Sequence, residues 1–500
     1  MKAFLMHPDR DFDLAADLPA QADDLALDLD LGALFDAMSR GDALLRDVAA
    51  RAVLQSLTDP AEISYRQEIL RDSLAHPKVV RELYDLTVDT IVGYRKVHGS
   101  FYFARAPESI LVRSINLLEY LTGRLQALHD LAEAQRISFR SAGFKRLFTL
   151  LASELDLSYF EEVRGHLRQL RFAHGIMVSA ELGQGCKGER YLLHRAPEGR
   201  GGGWLGRVFG GRKSEYSFEI ADRDESGHQA LAELRGRGVN SVANALAQST
   251  DHILSFFAML RGELGFFVGC LNLHDTYASR GEPTCIPVPA PMGGGQLAAR
   301  GLYDACLALR AEGRAVGNGL VGDGKQLIVI TGANQGGKST FLRSVGLAYL
   351  MLQCGMFVAA EEFSAALCNG VYTHFKRPED TALESGKLDE ELRRMSGIAS
   401  LVKLDAVVLF NESFSSTNER EGSEIARQVV QALLEARVRV LFVTHLFELA
   451  EGFHSSGMHG ALFLQAERLP DGRRTFRLRE GVPLPTSHGE DVYRRVFGVR

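Results

Sequence analysis

The chain has 500 residues, a formal net charge of −6, 46% hydrophobic and 24% charged residues. That length gives room for about three or four domains with buried cores, and the acidic balance excludes a uniformly basic nucleic-acid coat, so phosphate backbones could be met only by local patches. No unbroken apolar window of ~18 residues spans a bilayer, no secretory signal opens the chain, and the six cysteines form no C-x-x-C pair, so the expectation is a cytoplasmic chain with no membrane contact, disulfide or zinc framework.

Between Asp9 and Asp30 lie eight aspartates separated largely by Leu and Ala. This predicts an acidic leader over residues 1–30, solvated and poorly ordered, with a regulatory acidic tail as the alternative. Residues 31–290 read as an all-α region. In "LGALFDAMSRGDALLRDVAARAVLQSL" the apolar residues recur at three- and four-residue steps, and Asp59-Pro60 and His76-Pro77 mark turns. Within "YFEEVRGHLRQLRFAHG", Arg164, Arg168 and Arg171 stand four and then three apart, on one helical face. That face either takes phosphate or is a solvated stripe balanced by Glu161 and Glu162.

Residues 198–214, "EGRGGGWLGRVFGGRKS", carry seven glycines, the only tryptophan, and Arg200, Arg207, Arg212 and Lys213. Charge and stacking there could grip a nucleic-acid backbone, or the segment is an exposed loop tip. Helical periodicity resumes over residues 240–274, and the four prolines and glycine cluster of "GEPTCIPVPAPMGGG" place a boundary near residue 290.

Residues 291–500 alternate strand-like and helical runs, the pattern of a mostly parallel sheet with helices on its faces. In "VITGANQGGKST", Gly332, four residues, then Gly337, Lys338 and Ser339 match the G-x-x-x-x-G-K-[ST] phosphate loop. Nucleotide binding is therefore predicted for Gly332, Ala333, Asn334, Gln335, Gly336, Gly337, Lys338, Ser339 and Thr340. Glycines let backbone N–H groups close around phosphates, Lys338 reaches the β and γ positions, and the Ser339 hydroxyl joins a magnesium shell. The strand "LDAVVLFNESF" ends in Asn411 and Glu412. In phosphate-loop ATPases an aspartate normally holds the metal shell at such a strand end; Asn411 takes that place here, and Glu412 stands where a general base would activate the attacking water. A third strand, "VRVLFVTH", ends in His445, whose imidazole could contact the γ-phosphate.

Together these motifs resemble the MutS family of DNA mismatch-repair ATPases. "ITGANQGGKST" is similar to the family's phosphate loop, with Asn334 and the paired glycines distinctive; "FVTHLFELA" resembles its histidine strand, "TSHGEDVYRRVFG" a segment near the end of its ATPase domain, and "LTDPAEISYRQEIL" its core domain. The resemblance implies an ABC-type ATPase domain that dimerises, each nucleotide being completed by the partner's signature segment. That segment is here "SFSSTNEREG", with Ser416, Thr417 and Asn418 as contacts in trans. It further implies that Asn334 senses nucleotide state, that Glu391 lies in a loop coupling nucleotide to the helical part, and that helical levers reach duplex DNA. Three departures stand out: Asn411 for the expected aspartate, lost glycines around Phe414 and Ser416, and only ~30 residues ahead of the first helices, too few for a separate mismatch-reading domain.

The expected fold is α+β and multidomain: an all-α core and lever region followed by a C-terminal α/β P-loop domain of ABC type. The expected function is an ATPase using ATP and Mg2+, homodimeric through its ATPase domains, whose nucleotide state controls binding to double-stranded or branched DNA in mismatch repair or a related process. Asn411 is expected to weaken turnover. The alternative is a nucleotide-gated protein-docking module with little hydrolysis.

Overall fold

The computed structural model describes the whole chain except residues 100–106, 173–176, 183–187, 195–224, 378–385, 470–472, 485–496 and 498–500. The glycine-rich segment with Arg200, Arg207, Arg212 and Lys213 lies outside the described residues, as does nearly all of "TSHGEDVYRRVFG". The protein is mixed α/β, and the chain divides into two compact units, one of residues 1–3, 81–139 and 145–261, the other of residues 4–80, 140–144 and 262–500.

Helices α1 (Ala22–Asp28), α2 (Leu31–Ser39), α3 (Ala43–Leu54) and α4 (Pro60–Ala75) open the chain, followed by α5 (Pro77–Gly99), α6 (Pro107–Gln135), α7 (Ala142–Glu154) and α8 (Leu157–Leu170). Their starts are written in the sequence. Asp42 accepts from the Leu44 and Leu45 N–H groups at the head of α3, Asp59 accepts from Ala61 ahead of Pro60 in α4, and Asp156 accepts from Tyr159 in α8. Each aspartate satisfies amides that have no partner within the helix.

In the first unit Leu111, Ile115 and Leu118 of α6 meet Leu167 of α8 and Val239 and Ala243 of α9 (Glu225–Ser279), a seam of buried aliphatic side chains at helical spacing. The all-α expectation is corrected here. Strands β1 (Met177–Leu182) and β2 (Gly188–His194) form an antiparallel pair, built from short runs without clear period-2 alternation that lie between long helical stretches. From Val239 to Ser279, α9 has the length and apolar character of a membrane-crossing helix, yet 67% of its most apolar window is buried inside the protein, as in a core helix.

The second unit holds two mixed sheets. Strands β3 (Val288–Ala290), β4 (Leu297–Leu302), β5 (Asn318–Val321) and β7 (Glu362–Ala366) form one, in the order β3-β7-β4-β5. The larger joins β6 (Leu327–Gly332), β8 (Val371–Phe375), β9 (Val407–Asn411), β10 (Arg439–Val443), β11 (Ala461–Arg468) and β12 (Arg474–Glu480) in the order β12-β11-β6-β10-β9-β8. Its strands are parallel except β12, which runs antiparallel to β11. Helices α10 (Ala305–Arg310), α11 (Lys338–Gln353), α12 (Lys387–Leu401), α13 (Glu419–Glu435) and α14 (Phe447–Ser455) complete the unit. Phe410, Phe442, Val408 and Val440 of the sheet pack with Ala426, Val430 and Leu433 of α13 in a buried core. These strands are covered on both faces and read as continuous apolar runs.

Residues 1–30 are not the solvated leader expected from their aspartates. Leu5, Met6, Leu25 and Leu29 are fully or almost fully buried. Of the leucines between the acids, Leu25 and Leu29 fill the second unit while Leu18 and Leu27 stay exposed, and Asp24 pairs with Arg377 while Asp28 lies 3.7 Å from Arg394. Composition counted the acids and missed their partners, which lie far along the chain.

Candidate functional site

Parallel register brings the site together. Val443 stands opposite Ile330 of β6 and Asn411 of β9, so β6, β9 and β10 end at one edge of the sheet, where α/β sheets bind ligands. β6 runs into the loop 332–337 and then into α11, whose residues are all buried except Ser339, Thr340 and Arg343. Gly332 and Gly337 take φ values of 110° and 90°, a region an L side chain rarely enters. No side chain caps α11 at Gly337, so the first-turn N–H groups and the positive end of the helix dipole face the loop.

Around this loop is a cleft of about 400 Å³ lined by Asn334, Gln335, Gly336, Gly337, Lys338, Ser339, Thr340, Glu412 and His445. Lys338 is buried and its Nζ donates to the carbonyls of Gly332 (2.9 Å) and Ala333 (3.1 Å). Burial lowers its pKa, and the Glu412 carboxylate opposes that shift. Ser339 Oγ donates to Asn411 Oδ1 at 2.8 Å. Glu412 has a left-handed backbone, φ 55°, fixed by its N–H donating to the Val443 carbonyl at 2.9 Å. His445 is exposed at the end of β10.

Beside this cleft lies a second of about 460 Å³, whose lining includes Tyr303, Leu307, Val316, Thr340, Phe341 and Phe476. Gln335, Gly337 and Thr340 border both. Phe476 has φ 59° and is half exposed, and its carbonyl accepts from Asn318 Nδ2 at 3.2 Å while Asn318 Oδ1 accepts from the Leu478 N–H at 2.7 Å. The Asn318 amide thus stands in for a strand partner and lays β12 along the loop. Sequence reasoning missed these residues, because no local motif marks β12 and the contact spans more than 150 positions.

Behind the Asn411 strand is a buried polar knot. His374 is fully buried, which pushes its pKa down to about 4, so the ring is neutral. Its Nε2–H donates to the Glu391 carbonyl at 2.9 Å, and the single Ser413 hydroxyl proton is shared between the His374 carbonyl (2.6 Å) and Nδ1 of the same ring (2.7 Å). Glu391 Oε1 accepts from Ser416 Oγ at 2.8 Å, and the other Glu391 oxygen is buried with no hydrogen-bond partner. Thr417 Oγ1 donates to Glu421, and Asn418 caps α13 by accepting from the Glu421 N–H at 3.0 Å. All three residues expected to act in trans are engaged within their own chain.

The basic face lies in the first unit. Arg164 donates to Gln126. Arg171, just past the end of α8, holds Glu119 at 2.6 Å and Asn116 at 3.3 Å. Arg168 is exposed.

No group of three His, Cys, Asp or Glu side chains among the described residues is arranged to hold a metal alone. The donors at the loop, a hydroxyl and an amide oxygen 2.8 Å apart with Glu412 on the same cleft, suit a hard cation that keeps waters and shares phosphate oxygens.

Comparison with known proteins finds two family models along the chain: MutS2 N-terminal domain over residues 58–280 and MutS domain V over residues 328–479. The chain is 39% identical over 124 residues to the DNA mismatch repair protein MutS of Thermus aquaticus, covering 25% of this chain and 15% of that protein. It is 33% identical over 176 residues to Endonuclease MutS2 of Thermus thermophilus (34% and 23%), and 27% identical over 241 residues to human MutS protein homolog 4 (47% and 25%). The matched stretches thus span a quarter or less of these relatives' own lengths. With one MutS model on its helical part and another on its larger sheet, the chain belongs to the MutS family.

Proposed function

We propose that residues 291–500 are a P-loop ATPase domain of ABC type, that residues 31–290 are its core and lever region, and that nucleotide state controls the grip of that region on DNA. The carrying observation is the Ser339–Asn411 hydrogen bond on the cleft that Lys338, Glu412 and His445 share. ATP phosphates would lie over the loop 332–337, against the first-turn N–H groups of α11 and the Lys338 ammonium, with the base in the neighbouring apolar cleft. A bound anion would restore the pKa that burial lowers in Lys338.

Mg2+, held by Ser339 Oγ and by a water accepted at Asn411 Oδ1, would neutralise charge developing on the phosphate oxygens. Glu412, pinned through its N–H, orients the attacking water and takes its proton. His445 and Asn334 border the same space and report whether the γ-phosphate is present. Self-association through the ATPase domains would bring Ser416, Thr417 and Asn418 to a partner's nucleotide, which requires them to exchange their present hydrogen bonds. DNA would be met by Arg164, Arg168 and Arg171, and by the basic residues of the segment 198–214. The relatives' printed names place them in mismatch repair or call one an endonuclease; for this chain we propose repair or recombination DNA, duplex or branched, as the substrate.

A second reading, a nucleotide-gated docking protein with little turnover, is favoured by one observation: the strand-end acceptor is the uncharged Asn411. Steady-state hydrolysis with and without duplex, mismatched and branched DNA, beside Glu412→Gln, decides between them. Stimulation by one DNA form, lost in Glu412→Gln, supports the ATPase. Tight ATP binding with negligible, DNA-insensitive turnover supports the docking protein and overturns the first reading.

A further inference from the structure

Residues 4–12 precede both matched family models, yet their backbone is held by buried ionic side chains from two helices. On α4, Glu62, Tyr65 and Arg66 fall on one face and all three reach this segment. Tyr65 Oη donates to the Phe4 carbonyl at 2.6 Å, and Glu62 Oε1 meets His7 Nδ1 at 2.6 Å. Arg66, 1% exposed, donates to the Met6 carbonyl from Nε (3.0 Å) and Nη2 (2.9 Å). From the other side Glu263 of α9, also 1% exposed, accepts from the N–H groups of Leu5, Met6 (3.3 Å) and Phe12 (3.4 Å). The N–H and C=O of Met6 are therefore taken by buried groups of opposite charge.

The same guanidinium also fixes the far end of the loop helix. Arg66 Nη1 donates to the Cys354 carbonyl, just past α11, at 3.0 Å, and its Cζ sits 5.5 Å from the Phe266 ring centroid in α9. Beside it Gln353 Nε2 donates to the Leu57 carbonyl at 3.0 Å while the Leu57 N–H donates to the Gln353 carbonyl at 2.9 Å. Burial pushes Glu263 up to about 7 and Arg66 down to about 10, the signature of ions that the fold holds against a solvation cost.

We infer that residues 4–12 are a coupling strap, clasped at Met6 between Arg66 and Glu263, through which occupancy at the head of α11 alters the hold on α9. The inference rests on the nucleotide reading above. Arg66 and Glu263 are positioning residues, remote from the loop 332–337. A rigid helix transmits displacement along its axis, and an end locked by Arg66 and Leu57 passes it to whatever those groups also hold.

The test is amide hydrogen exchange across residues 4–12 in the full chain, with and without a non-hydrolysable ATP analogue and Mg2+, beside a binding isotherm for that analogue. In the parent, binding should change exchange there about tenfold. Arg66→Lys keeps the charge but loses the forked reach, and Glu263→Gln keeps the shape but loses the ion; each should retain analogue affinity within about threefold while the linked change shrinks below about twofold. If Arg66→Lys does not fold, Glu263→Gln carries the test alone. Binding without any change at residues 4–12, or variants that respond like the parent, would overturn the strap. Absence of a binding isotherm in the parent overturns the nucleotide reading itself, and the strap with it.

Discussion

Ser416 donates its hydroxyl to Glu391 Oε1 at 2.8 Å, so a group proposed to act in trans is spent within its own chain. If that hydroxyl is to meet a partner's nucleotide, the internal bond competes with self-association. A neutral donor on a buried carboxylate is worth about 1 kcal/mol or somewhat more. Glu391→Ala should therefore tighten nucleotide-dependent self-association about fivefold, and Ser416→Ala should weaken it. Sedimentation with and without nucleotide reads both; equal dissociation constants in all three proteins would remove Ser416 from the interface.

Asn411 accepts from Ser339 as an aspartate would, but without charge. Hydrogen bonds to ionised acceptors exceed neutral ones by about 1 kcal/mol. In Asn411→Asp the magnesium concentration for half-maximal turnover should fall on the order of tenfold, and turnover should rise. Glu412→Gln should lower hydrolysis by about 10²-fold or more while leaving nucleotide affinity near that of the parent. An unchanged magnesium titration in Asn411→Asp would sink the account of the metal shell.

His374 ties stability to pH. Burial lowers its pKa from the ordinary 6.5 to about 4, so as pH falls below about 6.5 the unfolded chain takes up a proton that the folded chain refuses. Stability contributed by the neutral ring is complete above 6.5 and is lost as pH falls towards 4, a loss of about 3 kcal/mol. Denaturant midpoints from pH 7 to 4 should show that slope in the parent and a shallower one in His374→Gln. Matching slopes would mean that the acid sensitivity lies elsewhere.

Glycine loop and strand ends were legible because each is local. Lys338 lies a few residues from the carbonyls it bonds, and an apolar run ending in Asn411 and Glu412 announces a buried parallel strand with polar groups at its rim. Periodicity also placed α8 and the stretch 240–274 of α9, and the turns read at Asp59-Pro60 and His76-Pro77 fall where α4 and α5 begin. What could not be read was long-range. Met6 meets Glu263 across more than 250 positions, so the aspartates around it looked like a solvated tail; Phe476 reaches the loop through a backbone conformation that no pattern encodes. Arg171 looked like one of three equivalent cations, but it is paired with Glu119.

That pairing separates the arginines experimentally. Arg168 is exposed, with no ion pair recorded among the described residues, whereas Arg171 is already half neutralised by Glu119. If this face contacts duplex phosphates, Arg168→Ala should lower the slope of log affinity against log salt by about 1, and Arg171→Ala by less. Fluorescence anisotropy at several salt concentrations checks both; unaltered slopes would leave the face a solvated stripe.

Phe414 lies in the loop after β9 with φ 60°, fully buried, its ring stacked on His374 at 5.3 Å. Its carbonyl faces Gly422 so closely that a Cβ there would lie 2.3 Å from the oxygen. Positions 414, 374 and 422 are consequently interlocked in what they permit over evolutionary drift. Glycine at 414 would relax the backbone but empty the space above the imidazole, and any side chain at 422 would push the 414 carbonyl away. Changes in this loop should accumulate in concert, so a single step that places a glycine at 414 would yield a looser protein than either the present chain or one rebuilt at all three positions.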